Sequence, residues 1–365
     1  MIARLIHRLF AHLDAPLLGL LGLLLLISTA TVYSASGGSA DKMVAQFTNI
    51  SVALAALLLA SHVPPQRLMQ FALPAYVLGV VLLLGVALFG VVVNGSRRWL
   101  DLGVTRIQPS ELMRLAAPMM LAWYFHYKQA TLGWKDFLVA ASLLLLPVGF
   151  IAKQPDLGTA LLISASGFYV LYLAGLSWKV IAGAAVAVAA ALPVAWNTLL
   201  HDYQRQRVLT LIDPTSDPLG AGYHIIQATI AVGSGGMAGK GWMGGTQTHL
   251  DFLPERSTDF IFAVFSEEFG LVGNLLLLLL YGAIIGRGLW LAASAPSLFG
   301  RLLAGAIVLT FFTYAFVNMG MVSGILPVVG VPLPLVSYGG TSMLTVMLGF
   351  GILMSLATHK KLVKT

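Results

Sequence analysis

One aspartate stands where an acid–base reaction could take place. Asp259 follows Pro254 and the pair Ser257 and Thr258, and it precedes a long apolar stretch, which predicts a position in the first turn of a helix. A carboxylate that is partly removed from water has a raised pKa, which suits a general base. The same position is equally typical of a simple helix cap with Thr258 or Ser257 as partner, and the residues alone leave both interpretations open.

Further charged side chains lie inside or at the edges of apolar stretches. Glu267 and Glu268 fall deeper in the stretch that follows, where an acid is either functional or bonded to a neighbouring helix. Glu111 and Arg114 are three residues apart and share one helix face, which favours a mutual ion pair over a place beside a substrate cavity. Asp156 opens another apolar stretch, as a helix cap or as part of a site.

Two further segments could receive an anion. Residues 233–245 are too rich in glycine for a regular element, so their N–H groups either approach a phosphate or form a plain flexible linker. They lack the Gly-x4-Gly-Lys-Ser/Thr pattern of an ATP-binding loop. Arg97 and Arg98 stand beside Trp99, as a lipid-headgroup anchor or as a clamp for pyrophosphate.

Composition decides which elements must position these residues. Of the 365 residues, 58% are hydrophobic and 10% are charged, and the mean hydropathy is +0.88. Soluble domains have about 25% charged residues, so a water-soluble globule and a disordered chain are excluded. The chain has no cysteine, which excludes thiol catalysis, a disulfide scaffold and a cysteine-ligated zinc site. An all-α, polytopic membrane protein remains.

The intervals between charges predict ten membrane-spanning helices, each needing about 20 mostly apolar residues. Two of them lie within 301–360, on either side of a Gly/Pro-rich segment at 322–340 whose part 324–340 is predicted to be broken or re-entrant. The other eight are predicted near 16–35, 45–63, 72–94, 110–128, 136–153, 156–179, 179–202 and 258–285. The chain reads as a single integral membrane domain, 1–365, with one long loop, 201–257, between spans seven and eight. Within this loop, 223–232 predicts a short amphipathic helix on the membrane surface.

Basic residues predict the orientation. Cytoplasmic loops carry an excess of Lys and Arg, and an even number of spans puts both termini on one side. With the termini inside, the inner basic residues are Arg4, Arg8, Arg67, Lys128, Lys135, Lys179, Arg287, Arg301, Lys360, Lys361 and Lys364. The short outer loops then hold Lys42, Arg97, Arg98, Arg106 and Lys153. This eleven-to-five ratio favours cytoplasmic termini and places the loop 201–257, with Asp259, outside. The net charge of +7 follows this topology and does not indicate nucleic acid.

Several stretches give the chain a resemblance to a known family. It resembles the SEDS family (shape, elongation, division and sporulation) over essentially all 365 residues, and its rod-shape branch more than its division branch. The stretches are RWLDLG at 98–103, QPSE at 108–111, QPDLGT at 154–159, residues 213–223, GKG at 239–241, residues 253–260, and PLPLVSYGG at 332–340.

The resemblance implies a ten-span peptidoglycan glycosyltransferase in the bacterial cytoplasmic membrane. Such enzymes polymerise lipid II, an undecaprenyl-pyrophosphate-linked disaccharide peptide, into glycan strands during cell elongation. Their partners are a class B penicillin-binding protein, which cross-links the glycan, and other membrane proteins of the elongation machinery. The family's essential aspartate corresponds to Asp259 and its loop lysine to Lys240; an important outer-loop acid corresponds to Asp251, where relatives usually have Glu. Arg114 and Ser257 stand where Lys and His are common, so we assign no chemical role to Ser257.

This chemistry needs a base for a sugar hydroxyl, cations for a pyrophosphate leaving group, and an apolar groove for the lipid. Asp259 is the candidate base. The candidate phosphate partners are Lys240, Arg205, Arg207, Arg97 and Arg98. A divalent cation, Mg²⁺ or Mn²⁺, could assist the leaving group, although the sequence has no unmistakable metal cluster. Two alternatives stay open: a transporter or flippase of lipid-linked precursors, and a non-catalytic scaffold of the elongation machinery.

Overall fold

The structure, a computed structural model, describes residues 12–93, 96–101, 106–154, 156–198, 202–217, 220–250, 252–253 and 255–359. Helices account for nearly all of its regular structure. They are α1 Ala15–Ala35, α2 Ala40–Ser61, α3 Pro65–Phe89, α4 Pro109–Tyr127, α5 Trp134–Lys153, α6 Leu157–Leu173, α7 Trp178–Thr198, α8 Asp202–Ile212, α9 Ala221–Ser234, α10 Thr246–His249, α11 Ile261–Ser294, α12 Leu298–Val322 and α13 Gly340–Thr358. A short 3-10 turn, Pro214–Ser216, follows α8.

Ten helices in the described part of the chain have 17 residues or more, and they coincide with the ten predicted spans. Seven of them are long and apolar enough to cross a membrane. The other three are α4, which carries two charged residues near its start, and the shorter apolar stretches of α6 and α7. The prediction of an all-α, multi-pass membrane protein is therefore confirmed.

The predicted end of the eighth span is wrong. α11 continues past 285 to Ser294, although Arg287 lies within it. The Arg287 guanidinium pairs with the Asp14 carboxylate at 2.6 Å and lies over the Trp290 ring at 4.2 Å. Because these two contacts compensate the charge, the helix does not have to end where the arginine appears.

Close helix contacts build the core. α13 packs along α2, while α12 packs against α11, α6 and α4. A Cβ at Gly351 of α13 would collide with the carbonyl oxygen of Leu57 on α2, so only glycine permits that approach. The phenylalanines Phe125, Phe299 and Phe350 are fully buried in this core. α7 differs, since nearly all its described residues are exposed and would face lipid.

A small antiparallel sheet, which the sequence does not predict, follows α3. Its strands are β1 Val91–Val93, β2 Ser96–Asp101 and β3 Arg106–Ile107, in the order β1-β2-β3. The β-branched run at 91–93 favours extended backbone, so α3 ends at Phe89 and not at the predicted 94. Arg97 and Arg98 are neighbours on β2, and side chains that alternate along a strand project to opposite faces.

The predicted break before the last span is confirmed. Residues 324–339 form turns and irregular backbone between α12 and α13. Gly324 and Gly330 both have φ of +70°, and Leu335 has φ of +62°. Val331, Leu333, Leu335 and Val336 are nevertheless at most 3% exposed, so this segment is packed into the protein. Irregular backbone at membrane depth is tolerated where protein surrounds it.

Candidate active site

The irregular segment at 324–339 holds the turn that carries Asp259. The amide of Asn318 on α12 donates to the carbonyl oxygen of Asp259 at 2.8 Å and to that of Val331 at 2.6 Å. The Ser337 hydroxyl donates to the carbonyl of Thr258 at 2.6 Å. These bonds all reach the backbone, so they fix the turn and leave the Asp259 carboxylate available for chemistry.

Asp259 does not cap the helix that follows it. α11 begins at Ile261 with Phe260 as its N-cap, and no side chain bonds to its first N–H groups. Thr258, the expected cap partner, instead donates its hydroxyl to the carboxylate of Glu255 at 2.8 Å. The capping interpretation is therefore wrong, because the chain turns once more before the helix starts. A carboxylate without a capping role requires another explanation.

The surroundings of the Asp259 carboxylate suit a base. It lies in the turn outside the spanning helix, where a Cβ built on Gly330 would be 3.3 Å from its Oδ2. Burial, together with the nearby charge of Glu255, raises the pKa of Asp259 to about 6. Desolvation and a like charge both disfavour the ionised form. The group is thus mostly ionised at neutral pH, yet it is more basic than an ordinary aspartate.

Lys240 lies against a buried acid. Its Nζ contacts the Glu267 carboxylate at 2.7 Å and the Thr246 hydroxyl at 2.7 Å, and the lysine side chain is 28% exposed. Glu267 is 0% exposed and also accepts hydrogen bonds from the backbone N–H groups of Thr246, at 2.8 Å, and Gln247, at 3.0 Å. Glu267 therefore anchors the glycine-rich loop and fixes where Lys240 presents its charge.

The glycine-rich loop packs into a break in α11 that the sequence does not predict. Gly270 has φ of 62° and ψ of −161°, which interrupts the helix. The N–H groups of Lys240 and Gly241 donate to the carbonyls of Glu267 and Glu268, each at 3.0 Å. Below the break, the N–H of Leu271 donates to the carbonyl of Gly236 at 2.9 Å. The loop thus satisfies backbone groups that the broken helix exposes.

Glu268 ties the same region to α1. It is 1% exposed, and the hydroxyl of Ser34 donates to its Oε1. The indole N–H of Trp242 in the loop donates to the carbonyl of Ala30 at 3.1 Å. Glu268 also accepts from the backbone N–H of Met243 in the loop, so it joins the loop to α1, whereas Glu267 pairs with Lys240 of the loop.

Glu111 and Arg114 form the expected ion pair, with Arg114 Nη1 2.8 Å from Glu111 Oε2. The Thr345 hydroxyl donates to the same carboxylate at 3.0 Å, and the Arg114 guanidinium lies 4.7 Å from the centre of the Tyr314 ring. Arg114 also lines a cavity of about 40 Å³ between α4, α12 and α13. Mutual pairing and a place beside a cavity therefore coexist.

We expect either single alanine substitution, Glu111→Ala or Arg114→Ala, to leave one charge unpaired. Breaking a buried pair costs about 3–5 kcal/mol, so either variant should give less folded protein in the membrane. The double substitution Glu111→Arg with Arg114→Glu should restore part of the lost folded protein. Quantitative membrane immunoblots and thermal melts measure this. Single variants that accumulate and melt like the parent, yet are inactive, would instead indicate a role in the cavity.

Asp156 has two partners. It caps α6 by accepting from the N–H of Thr159 at 3.2 Å, and its Oδ2 lies 3.5 Å from Nε of Arg98. The Arg98 side chain is 36% exposed, while that of Asp156 is 8% exposed. Asp156 is therefore both the cap of α6 and the partner of a charged side chain. Asp156 orients Arg98 and keeps part of its guanidinium accessible at the N-terminal end of α6.

Three of the remaining predicted site residues lie on elements other than the turn of Asp259. Arg205 on α8 lies 3.7 Å from Asp202 and donates to the carbonyl of Asn197 at 3.1 Å. Arg207 is exposed on the same helix, and Arg97 is exposed on β2. Asp251 lies outside the described residues, so its predicted role stays a prediction.

The described residues do not form a cage for a metal ion, since no three of their His, Asp or Glu side chains come together. Asp259 and Glu255 are acids close enough to influence each other. Mg²⁺ is often held by one or two carboxylates plus substrate phosphates, so a cation bound here could share its ligands with the substrate. The dependence on Mg²⁺ or Mn²⁺ stays a prediction.

Comparison with known proteins decides the family. Residues 8–362 match the family model FtsW/RodA/SpoVE, described as cell cycle protein. The chain belongs to the FtsW/RodA/SpoVE family. It is 51% identical over 351 residues to the peptidoglycan glycosyltransferase MrdB of Escherichia coli K12, covering 96% of this chain and 95% of that protein. It is 33% identical over 348 residues to the peptidoglycan glycosyltransferase RodA of Treponema pallidum, covering 76% and 80%.

Solved structures of this family have the same fold. A chain of a peptidoglycan synthase complex, described as coordinating polymerisation and crosslinking, is 33% identical with a TM-score of 0.82, covering 94% of this chain and 97% of that one. The rod shape determining protein RodA of Thermus thermophilus is 28% identical with a TM-score of 0.70, covering 93% and 95%. Membership of this family agrees with the resemblance that the sequence motifs indicate.

Several polar residues that build this FtsW/RodA/SpoVE site are not predicted from the sequence. Asn318 lies in an otherwise apolar span, is 0% exposed and bonds to two separate loops. The Ser337 hydroxyl donates to the backbone carbonyl of Thr258. The Thr246 hydroxyl donates to the carboxylate of Glu267. An uncharged amide in the middle of an apolar stretch is a usable signal for Asn318. The small hydroxyls carry no such signal.

Proposed function

We propose that this chain is a peptidoglycan glycosyltransferase that polymerises lipid II for rod-shape maintenance, with Asp259 as its general base. The observation that carries the proposal is a carboxylate outside the spanning helix, free of a capping role, whose pKa is raised to about 6. The relatives named peptidoglycan glycosyltransferases support the activity. No observation of this chain specifically favours the transporter or the scaffold.

The reaction joins two lipid-linked sugars. A hydroxyl oxygen of the acceptor attacks the anomeric carbon of the donor and forms the new glycosidic C–O bond. The bond between that carbon and the donor's pyrophosphate oxygen breaks, and its electron pair leaves with the polyprenyl pyrophosphate. Asp259 takes the proton of the attacking hydroxyl as the new bond forms. No oxidant or reductant is required, because the donor is already activated by its leaving group.

Cations near the outer ends of the helices stabilise the leaving group. Arg98 on β2, oriented by Asp156, lies beside the start of α6, and Arg97, on the other face of the strand, is exposed. Guanidinium groups match phosphate oxygens in pairs of hydrogen bonds, which makes them strong partners for pyrophosphate. Lys240, held by Glu267, supplies a third positive charge from the loop that crosses α11. These residues bind and orient, and Asp259 moves the proton.

Purified protein in vesicles with labelled lipid II tests the proposal. The parent should produce a ladder of glycan chains in a gel, without any added polymerase. In a control reaction, the parent is given a lipid-linked monomer that lacks the acceptor hydroxyl. This reaction should produce no ladder. If the well-folded parent makes no polymer with intact lipid II, alone or with a penicillin-binding partner, the proposed activity is wrong.

The active site is proposed to face the outside of the cytoplasmic membrane, with both termini inside. The chain has no cysteine, so single cysteines can be introduced without background. Cysteine at Ser216, which is exposed after α8, should react with an impermeant thiol reagent in intact cells. Cysteine at Thr131, exposed between α4 and α5, or at Ser294, exposed at the end of α11, should react only after the membrane is opened. The opposite labelling pattern would overturn the orientation.

We propose that the single span of a class B penicillin-binding protein docks between α11 and α12. A groove of about 350 Å³ lies there, lined by Leu278 and Gly282 of α11 and by Phe312 and Phe316 of α12. Phe316 is 55% exposed and Leu278 48%, and the small Gly282 permits close approach of a helix. The related chain solved in a peptidoglycan synthase complex supports a partner of this kind.

Photo-crosslinking amino acids test this docking site. A crosslinker at Leu278 or Phe316 should capture the penicillin-binding protein in membranes. A matched crosslinker at Val81, which is 56% exposed on α3, should not. Capture from Val81 but from neither groove position would place the partner on the first four spans and contradict the proposal.

A further inference from the structure

A second groove opens between α6 and α12, below the irregular segment that follows α12. Its volume is about 300 Å³. Its lining includes Gly158, Leu161, Ala165, Val317, Pro327 and Val331. The polar group of Thr313, which also borders the groove, is already paired with the hydroxyl of Tyr169 at 2.6 Å. The groove therefore presents an apolar lining to whatever occupies it.

The groove is open towards the lipid. Leu161 on its wall is 64% exposed, and α7, the next helix along the chain, is exposed along nearly all its described length. The four groove positions of α6 run from Gly158 to Ala165, a rise of about 10 Å along the helix. The opening thus follows α6 for about two turns and runs into the membrane from the outer end of that helix.

The outer end of the groove meets the candidate active site. Asn318 bonds the carbonyl of Asp259 and that of Val331, which lines the groove. On the other side, Asp156 lies two residues before Gly158 and pairs with Arg98 at 3.5 Å. A molecule in the groove would therefore leave it between the candidate base and the arginine placed for pyrophosphate.

We propose that this groove holds the isoprene units next to the pyrophosphate of the donor lipid. The proposal rests on the proposed function, because it assumes a polyprenyl-pyrophosphate donor. The charge of Arg98 complements the pyrophosphate at the mouth, while the apolar lining behind it accepts hydrocarbon and rejects the polar sugar. Lipid tails are as apolar as the groove, so tail binding adds little affinity. The groove instead sets the angle at which the donor's anomeric carbon faces the acceptor hydroxyl that Asp259 deprotonates.

Photolabelling of the purified full-length chain in vesicles tests the groove. The probe is undecaprenyl pyrophosphate with a diazirine on an isoprene unit near its head. The control probe is a phospholipid with the same diazirine at the same depth. We expect the first probe to label the peptides containing Leu161, Ala165 and Val317, and excess unlabelled undecaprenyl pyrophosphate to suppress this labelling. Equal labelling by the phospholipid, unaffected by the competitor, would show ordinary bilayer lipid only and overturn the proposal.

Substitutions separate the groove from the rest of the surface. Ala165→Trp should fill the groove and reduce photolabelling there to background. Val186→Trp, at a site that is 68% exposed on α7, is the matched control and should change nothing. Polymerisation by Ala165→Trp should fall by about tenfold or more, since small misplacements of reacting groups cost up to ~10²-fold. If the Ala165→Trp variant does not fold, the labelling pattern of the parent and its competition by undecaprenyl pyrophosphate still test the groove.

The two proposals fail separately, because photolabelling reads binding without turnover. A parent that polymerises lipid II but is labelled only at other helices would contradict the groove and keep the activity. A parent that is labelled in the groove, with competition by polyprenyl pyrophosphate, yet makes no polymer would contradict the activity and keep the groove.

Discussion

Replacing Asp259 by asparagine is expected to lower the rate of glycan polymerisation by about 10²–10⁴-fold, the usual cost of losing a general base. Asparagine has the size of aspartate, but its amide cannot accept the proton of the acceptor hydroxyl at neutral pH. The bond from Asn318 reaches the backbone carbonyl of residue 259, so the substitution keeps it. The turn and the helix start should therefore persist, and thermal melting and membrane levels should match the parent. Gel analysis of glycan chains from labelled lipid II measures the rate.

Two substitutions, one at Glu255 and one at Asp259 itself, serve as controls for Asp259→Asn. Glu255→Gln removes the nearby charge that contributes to the raised pKa of Asp259 and should keep substantial activity. Asp259→Glu keeps a base but moves it by one methylene, so it should retain at most part of the rate. A folded Asp259→Asn variant that polymerises at a near-native rate would remove Asp259 from the mechanism. Asp251 would then be the next carboxylate to test.

The second large effect is expected at Glu267. Glu267→Gln leaves Lys240 without its counter-charge and puts an amide where several donors converge on a carboxylate. Removing one partner of a buried ion pair costs about 3–5 kcal/mol, so the melting temperature should fall clearly. Polymerisation should fall further than the loss of folded protein explains, because Lys240 is no longer held in place.

A matched acid makes the Glu267 experiment specific. Glu268→Gln changes an equally buried carboxylate that bonds to Ser34 on α1 and not to the lysine. Its activity per folded molecule should stay closer to that of the parent. Glu267→Asp, which keeps the charge, should restore part of the activity that Glu267→Gln loses. Equal losses of activity per folded molecule in the two Gln variants would contradict a positioning role of Glu267 towards Lys240.

The spanning helices can be predicted because a membrane requires long apolar stretches and concentrates charges at their ends. The same rule fails where a charge is compensated locally. Arg287, paired with Asp14, lies inside α11 and not at its end. The strands after α3 cannot be predicted from the length of apolar stretches, because a run of three valines fits a membrane span and a strand equally well.

The candidate base can be identified from its place beside a span, but its surroundings cannot. The break at Gly270 depends on a loop more than 25 residues earlier in the chain that supplies hydrogen bonds to the interrupted helix. The pairing of Lys240 with Glu267 follows from that crossing and not from local spacing. Likewise, Asn318 meets Asp259 only because the segment after α12 folds back. Such contacts are set by tertiary structure, which periodicity and local propensity do not encode.

The dependence of the initial polymerisation rate on pH tests the role of Asp259 most directly. Burial and Glu255 raise the pKa of Asp259 to about 6, and a base acts only when it is ionised. The rate of the purified parent in vesicles should therefore rise with pH, reach half of its plateau near pH 6, and stay on the plateau at neutral pH. Glu255→Gln should move this midpoint to lower pH. A rate that is constant between about pH 5 and about pH 8, with the protein folded throughout, would contradict Asp259 as the general base.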